Sequence, residues 1–247
     1  MRRVLAAIVP DATRQHMKAD ISELIETFPD VRIAFVVAKG LTVKAERSQR
    51  QADAIRQVEQ VLNIAYQRDA VGQIPAIGAW RDAYKAFGIK KTSYRCSVER
   101  LLRGLLGDRP LPAVNSLVDV YNRISVKYLF PVGADDLADT FGDISFRFAT
   151  GEESFIPLGS RENDSPKSGE VIYADQQKVL CRRWNWYQDA RSPVSLESRD
   201  VVLTVQSLGI GDLDAAVQEL CHDITLECGG EVSSVVADAE NPTVTLF

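Results

Sequence analysis

Between Lys178 and Trp186 the sequence sets Arg182, Arg183, Trp184 and Asn185 side by side, and between Asn115 and Asn122 it spaces Asn115, Asp119 and Asn122 at i, i+4 and i+7. Guanidinium groups fork onto carboxylates or phosphates, while an indole beside an amide offers a stacking plane and a hydrogen-bonding edge. As a strand, the 178–186 run sends Arg182, Trp184 and Trp186 to one side and Cys181, Arg183 and Asn185 to the other. As a helix, the 115–122 run gathers its three polar groups on one face, opposite Leu117, Tyr121, Ile124 and Tyr128. Val118 and Val126 share that polar side, so both faces are expected to be covered and the polar groups to need partners. They either line a pocket or lock the fold. The arginine pair either enters such a pocket or salt-bridges at a strand end while tryptophan covers the core. Glu170 and Asp175 flank the preceding strand, where each can orient an arginine, activate water or serve a turn.

Other chemistries find little support. Cys96, Cys181, Cys221 and Cys228 lack Cys-x-x-Cys spacing and read as reduced core residues of a cytoplasmic protein. With only His16 and His222 available, neither a zinc site nor a Ser-His-Asp triad has its ligands near one another, and no metal or cofactor is expected. Gly-x-Ser-x-Gly, His-Glu-x-x-His and a glycine-rich phosphate loop after a strand are absent. Asp135, Asp136, Asp139 and Asp143 lack the spacing of a calcium loop and read as capping and turn residues. The 29 basic and 34 acidic residues give a formal charge of −5, which argues against a broad cationic surface for duplex DNA; any RNA contact must be local. The longest apolar stretch, Val31 to Ala38, is far short of the roughly 20 residues that span a bilayer.

The elements that must position these residues read as α+β, with a mixed or antiparallel sheet core and flanking helices. Apolar runs at Val4–Val9 and Val31–Ala38 flank a helical pattern over Lys18–Phe28, a β-α-β start and a possible subdomain of residues 1–75 within one domain of residues 1–247. Helices are expected at Gln49–Tyr66, with Arg47, Arg50, Arg56 and Glu59 on a solvated face, and at Gly78–Phe87, Ser97–Leu106 and Asp212–Ile224. Asn115 reads as the N-cap of a helix running to Tyr128. Period-2 patterns place strands at Ile144–Phe148, Glu170–Ala174, Lys178–Trp186 and Asp200–Ser207.

The series Tyr94-Arg-Cys-Ser-Val-Glu99, Leu111-Pro-Ala-Val-Asn-Ser-Leu-Val-Asp-Val-Tyr-Asn122, Pro131, Asp136, Gly169-Glu-Val-Ile-Tyr-Ala-Asp175 and Cys181-Arg-Arg-Trp-Asn-Trp186 resembles the B3/B4 domain, over residues 84–206. That domain carries the editing site for mischarged tyrosyl-tRNA in the phenylalanyl-tRNA synthetase β subunit, and the chain is similar to its free-standing versions. Where the synthetase pocket has a histidine, this sequence reads Val132-Gly133-Ala134; where it has a glutamate reading the tyrosine hydroxyl, the matching position is Thr204; and Arg182–Trp186 replaces a glycine-rich segment. The resemblance implies a tRNA-linked hydrolase that deacylates mischarged aminoacyl-tRNA, with a substrate other than the tyrosyl ester. Its oxyanion donors would be Arg182, Arg183 and Asn185, with Trp184 stacking a base or side chain. Asn115, Asp119 and Asn122 would hold the pocket or take the α-amino group, with Glu170 and Thr204 also at the substrate. The rival is a non-catalytic module for a tRNA acceptor end or a free amino acid.

Overall fold

The computed structural model describes residues 16–91 and 93–247, so the strand expected at Val4–Val9 lies outside the described residues. Along these residues run β1 (Lys18–Asp20), α1 (Ser22–Ile25), β2 (Val31–Lys39), α2 (Gln49–Ala65), α3 (Pro75–Ala86), α4 (Ser97–Leu105), α5 (Ser116–Tyr128), β3 (Val132–Asp136), β4 (Ile144–Phe148), β5 (Val171–Ala174), β6 (Val179–Arg182), β7 (Tyr187–Gln188), β8 (Val201–Leu208), α6 (Leu213–Cys228), β9 (Glu231–Ala237) and β10 (Thr243–Thr245). Short 3-10 turns occupy Arg68–Gln73 and Leu137–Asp139. The fold is α+β. No helix among the described residues is long and apolar enough to cross a membrane.

β2 is nearly all apolar because both its faces are buried. Ile33, Phe35 and Val37 enter one core, and Ala34, Val36 and Ala38 enter another. It lies between β8 and β9 in an antiparallel sheet ordered β3-β8-β2-β9. α5 and α6 cover one face of this sheet, where Leu117, Val120, Ile124, Leu213, Val217 and Leu220 meet Leu203 and Val205. The other face meets α2, α3, α4 and a six-stranded sheet ordered β10-β1-β4-β5-β6-β7, in which only β1 and β4 run parallel.

Three sequence expectations are corrected. The single helix over Lys18–Phe28 is divided: Lys18–Asp20 pairs with β4 and β10, and only Ser22–Ile25 coils. Two flanking strands supply more backbone bonds than one isolated helical turn, so tertiary pairing overrides the local pattern. The face expected to be solvated, with Arg47 just before α2 and Arg50 in its first turn, is not simply so. Arg47 Nε lies 2.7 Å from Asp119, and Arg50 reaches Asp223 and Glu227 at 3.0 and 2.8 Å, tying α2 to α5 and α6. Finally, β6 stops at Arg182, and residues 183–186 form the turn into β7. The alternation expected through Trp186 therefore does not hold.

Candidate functional site

Along β8 the side chains facing the six-stranded sheet change from Val202 to Thr204 and Gln206, polar groups in a strand buried on both sides. Buried polar side chains need partners or a ligand-accessible space. Here they line a cavity of about 700 Å³ walled also by α4, β3 and the β6–β7 turn. Across the sheet register Gly133 pairs with Thr204 and Asp135 with Val202, so β3 brings Gly133 and Asp135 to the same wall.

A hydrogen-bonded relay holds the floor. Tyr84 in α3 donates to Asn185 Oδ1 at 3.0 Å, Asn185 Nδ2 donates to Gln206 Oε1 at 2.9 Å, and Gln206 Nε2 donates to Thr204 Oγ1 at 3.0 Å. The backbone carbonyl of Asn185 also accepts from Ser97 N, which starts α4, at 3.0 Å. Beside the relay, Asp135 Oδ1 accepts from Gln188 Nε2 at 2.9 Å and from Ser192 Oγ at 2.8 Å. Burial pushes the Asp135 carboxyl up to about 7, against the pull of those two hydrogen bonds and of Lys178. The Cys181 thiol, also in the wall, is pushed up by burial and stays protonated at neutral pH.

Toward solvent the wall becomes cationic. Arg68, Arg95, Arg100, Arg103 and Arg109 all line the cavity, and Arg68, Arg100 and Arg109 are exposed, without an ion pair among the described residues. Glu99, fully buried in the first turn of α4, anchors two of these five: Arg103 Nε and Arg95 Nε lie 2.9 and 3.2 Å from its Oε1, which Arg81 Nη2 of α3 also reaches at 2.5 Å. Burial opposes ionisation of Glu99, but hydrogen bonds from Arg81 and Arg103 outweigh it and hold the carboxyl below its usual range. Five arginines, of which only Arg95 and Arg103 are paired among the described residues and both to the one carboxylate, make the mouth cationic on a chain of net charge −5.

Of the residues picked out by sequence, the structure brings Asn185, Asn122 and Thr204 to the cavity. The others lie behind it or away from it. Asn115 caps α5, accepting from the N–H groups of Leu117 and Val118 at 3.1 and 2.9 Å, and Asp119 is buried against Arg47. Arg182 is spent on a bidentate contact to Glu170, 2.9 and 3.2 Å, and on Asp164. Trp184 is wholly buried against Phe28 and Trp80, with ring centroids 4.8 and 5.0 Å apart, and has no face for a base. Arg183 packs over the contacting rings of Tyr94 and Trp186, 4.0 and 4.3 Å from their centroids, which are 4.9 Å apart. Burial pulls its guanidinium below the usual arginine value, though Glu170 partly offsets this.

These residues instead build the turn that presents Asn185. Arg183 and Trp184 have φ values of 49° and 65°, a left-handed pair that side chains with a Cβ rarely adopt. Such strain, on the order of 1 kcal/mol per residue or more, persists only where the surroundings fix it. Burial of the Trp184 side chain, the bond from its backbone N–H to Val171 O at 2.6 Å, and the stacked Arg183 provide that constraint.

Sequence reading missed the arginine mouth and Asp135. A signal for the first was present: Arg95, Arg100, Arg103 and Arg109 fall within one short stretch, in and around a helix read only for its apolar face. For Asp135, the neighbouring aspartates disguised a strand residue as a turn residue.

A B3/4 domain family model matches residues 79–209, which contain every cavity-lining residue except Arg68. No curated protein matches the chain. Among solved structures, an N-terminal fragment of the phenylalanyl-tRNA synthetase β-subunit from Pyrococcus horikoshii is similar at 12% identity and a TM-score of 0.47. The match covers 92% of this chain and 55% of that one.

Proposed function

The chain belongs to the B3/4 domain family, a synthetase-related group, and from that premise we propose that it deacylates mischarged aminoacyl-tRNA, acting in trans on the acceptor end. The observation that carries this reading is the layout of one cavity: arginines at its mouth, three of them without an ion pair among the described residues, above a floor of hydrogen-bonded amide side chains. Arginines hold the phosphodiesters of a single-stranded 3′ end without reading sequence. The floor then receives the aminoacyl group. Asn185 Nδ2 keeps one N–H beyond its bond to Gln206, which serves as a donor to the oxyanion formed when water attacks the ester carbonyl. Asn122 and Thr204 bound the space for the amino-acid side chain. The ester is already activated, so positioning contributes more than a strong base.

A second reading, an acceptor-end or amino-acid binding module without turnover, is favoured by one observation. The cavity wall holds no histidine among the described residues, and its thiol, Cys181, stays protonated. Incubation with a panel of mischarged tRNAs decides between them. Release of at least one amino acid faster than in buffer supports deacylation, whereas saturable binding of tRNA with no release above buffer supports the module.

A further inference from the structure

We infer that Asp135 and Tyr173 form an ammonium subsite on the cavity floor, which takes the protonated amine of an aminoacyl group. This rests on the aminoacyl reading of the cavity and specifies which part of the ligand goes to the floor. Asp135 is 3% exposed and Tyr173 2% exposed, and both line the cavity. Both hydrogen bonds that Asp135 accepts among the described residues fall on Oδ1, so Oδ2 keeps its acceptor capacity. Asp135 has no salt bridge among those residues, and the neighbouring Lys178 is spent on Asp175 at 2.9 Å. The Tyr173 hydroxyl is buried and unpartnered there too.

A buried carboxylate without a cation and a buried hydroxyl without a partner are each costly. Both are relieved by one group with several donors and a positive charge. A primary ammonium fits that description. An apolar group would leave both atoms unsatisfied, and an anion would meet the carboxylate. The mouth has the opposite preference, since its arginines attract anions. The cavity therefore suits a ligand that is negative outside and positive inside, as an aminoacyl group on a phosphodiester-linked adenosine is.

Calorimetric titration of the wild-type protein with four probes tests the subsite. They are 3′-alanylamido-3′-deoxyadenosine, its propionyl counterpart lacking the amine, alaninamide and propionamide. The alanyl compound is expected to bind about tenfold or more tighter than the propionyl one, as for hydrogen bonds to a charged group. Asp135→Asn should abolish that preference. Equal affinity of the two adenosine compounds for the wild type overturns the subsite, with no need of a variant, and leaves the acceptor-end reading standing. Conversely, Asp135-dependent binding of alaninamide over propionamide, with neither adenosine compound bound, upholds the subsite and removes the acceptor-end reading. Absence of binding by all four removes both.

Discussion

Gly133 and Thr204 stand opposite each other across β3 and β8 as register partners, and both form the cavity wall. The two positions thus form one cross-strand pair, the unit through which neighbouring strands interact.

A Cβ placed on Gly133 meets nothing within 4 Å, and its φ lies outside the left-handed region. Gly133→His should therefore fold with stability within about 1 kcal/mol of the parent, since a side chain in a strand offsets the glycine's entropy. The imidazole would occupy cavity space, so binding of tRNA-derived ligands should weaken. Thermal unfolding and ligand titration check the two halves separately; a collapsed melting temperature would contradict the open space.

Arg68 and Arg109 are exposed and lack ion pairs among the described residues, so replacing either by alanine should leave folding unchanged. If each contacts one phosphate of a single strand, the slope of log affinity against log salt should fall by about 0.7 per variant. Filter binding of tRNA at several ionic strengths measures this. An unchanged slope in both variants would remove the arginine mouth from the RNA footprint.

Glu99 is fully buried beneath Arg81, Arg95 and Arg103. Glu99→Gln should destabilise the protein by about 1–3 kcal/mol at neutral pH, as for the loss of hydrogen bonds to a buried charged group whose arginine partners stay partly solvated. Its folded-state pKa is depressed, so the ionised form contributes stability that is present above the unfolded carboxylate value and lost as pH falls through the folded one. Denaturant melts of both proteins at pH 7 and pH 4 should show the gap narrowing in acid.

Asp135 has the opposite sign. Burial raises its pKa to about 7, so the folded state holds a proton that the unfolded chain releases near pH 4, and wild-type stability declines as pH rises between those values. Tyr121 from α5, Tyr173 from β5, Cys181 from β6 and the Lys178–Asp175 pair face or surround this carboxyl. Asp135→Asn keeps an acceptor for Gln188 and Ser192 without the charge. Relative to wild type, the variant should gain stability with rising pH, up to roughly 4 kcal/mol by pH 8. A stability difference that does not change with pH would contradict the buried carboxyl.

The sequence revealed elements whose pattern is local. Asn115 announces its helix because an Asx cap depends on the next three residues, and β2 announces itself because burial on both faces demands an apolar run. What escaped depends on distant partners. Lys18–Asp20 is a strand only because residues 144–145 and 243–245 flank it. The Arg182–Asn185 run was chemically conspicuous, yet its direction is set by a turn with two left-handed residues, which alternation could not foresee. Trp184 consequently points into the core, while Asn185 reaches the cavity.

The placement of β1 also governs how the molecule comes into being. Asp20 is joined to Thr243, a separation of 223 residues. At roughly 5–20 residues per second of synthesis, β1 waits on the order of 10–45 s for its second neighbour. During that interval one backbone edge of the six-stranded sheet stays open, and open edges recruit other chains. β1 is only three residues long and carries Lys18 and Asp20, features that blunt such an edge. The covering of β1 is therefore timed by the ribosome, and conditions that slow elongation should expose nascent chains to aggregation through this edge.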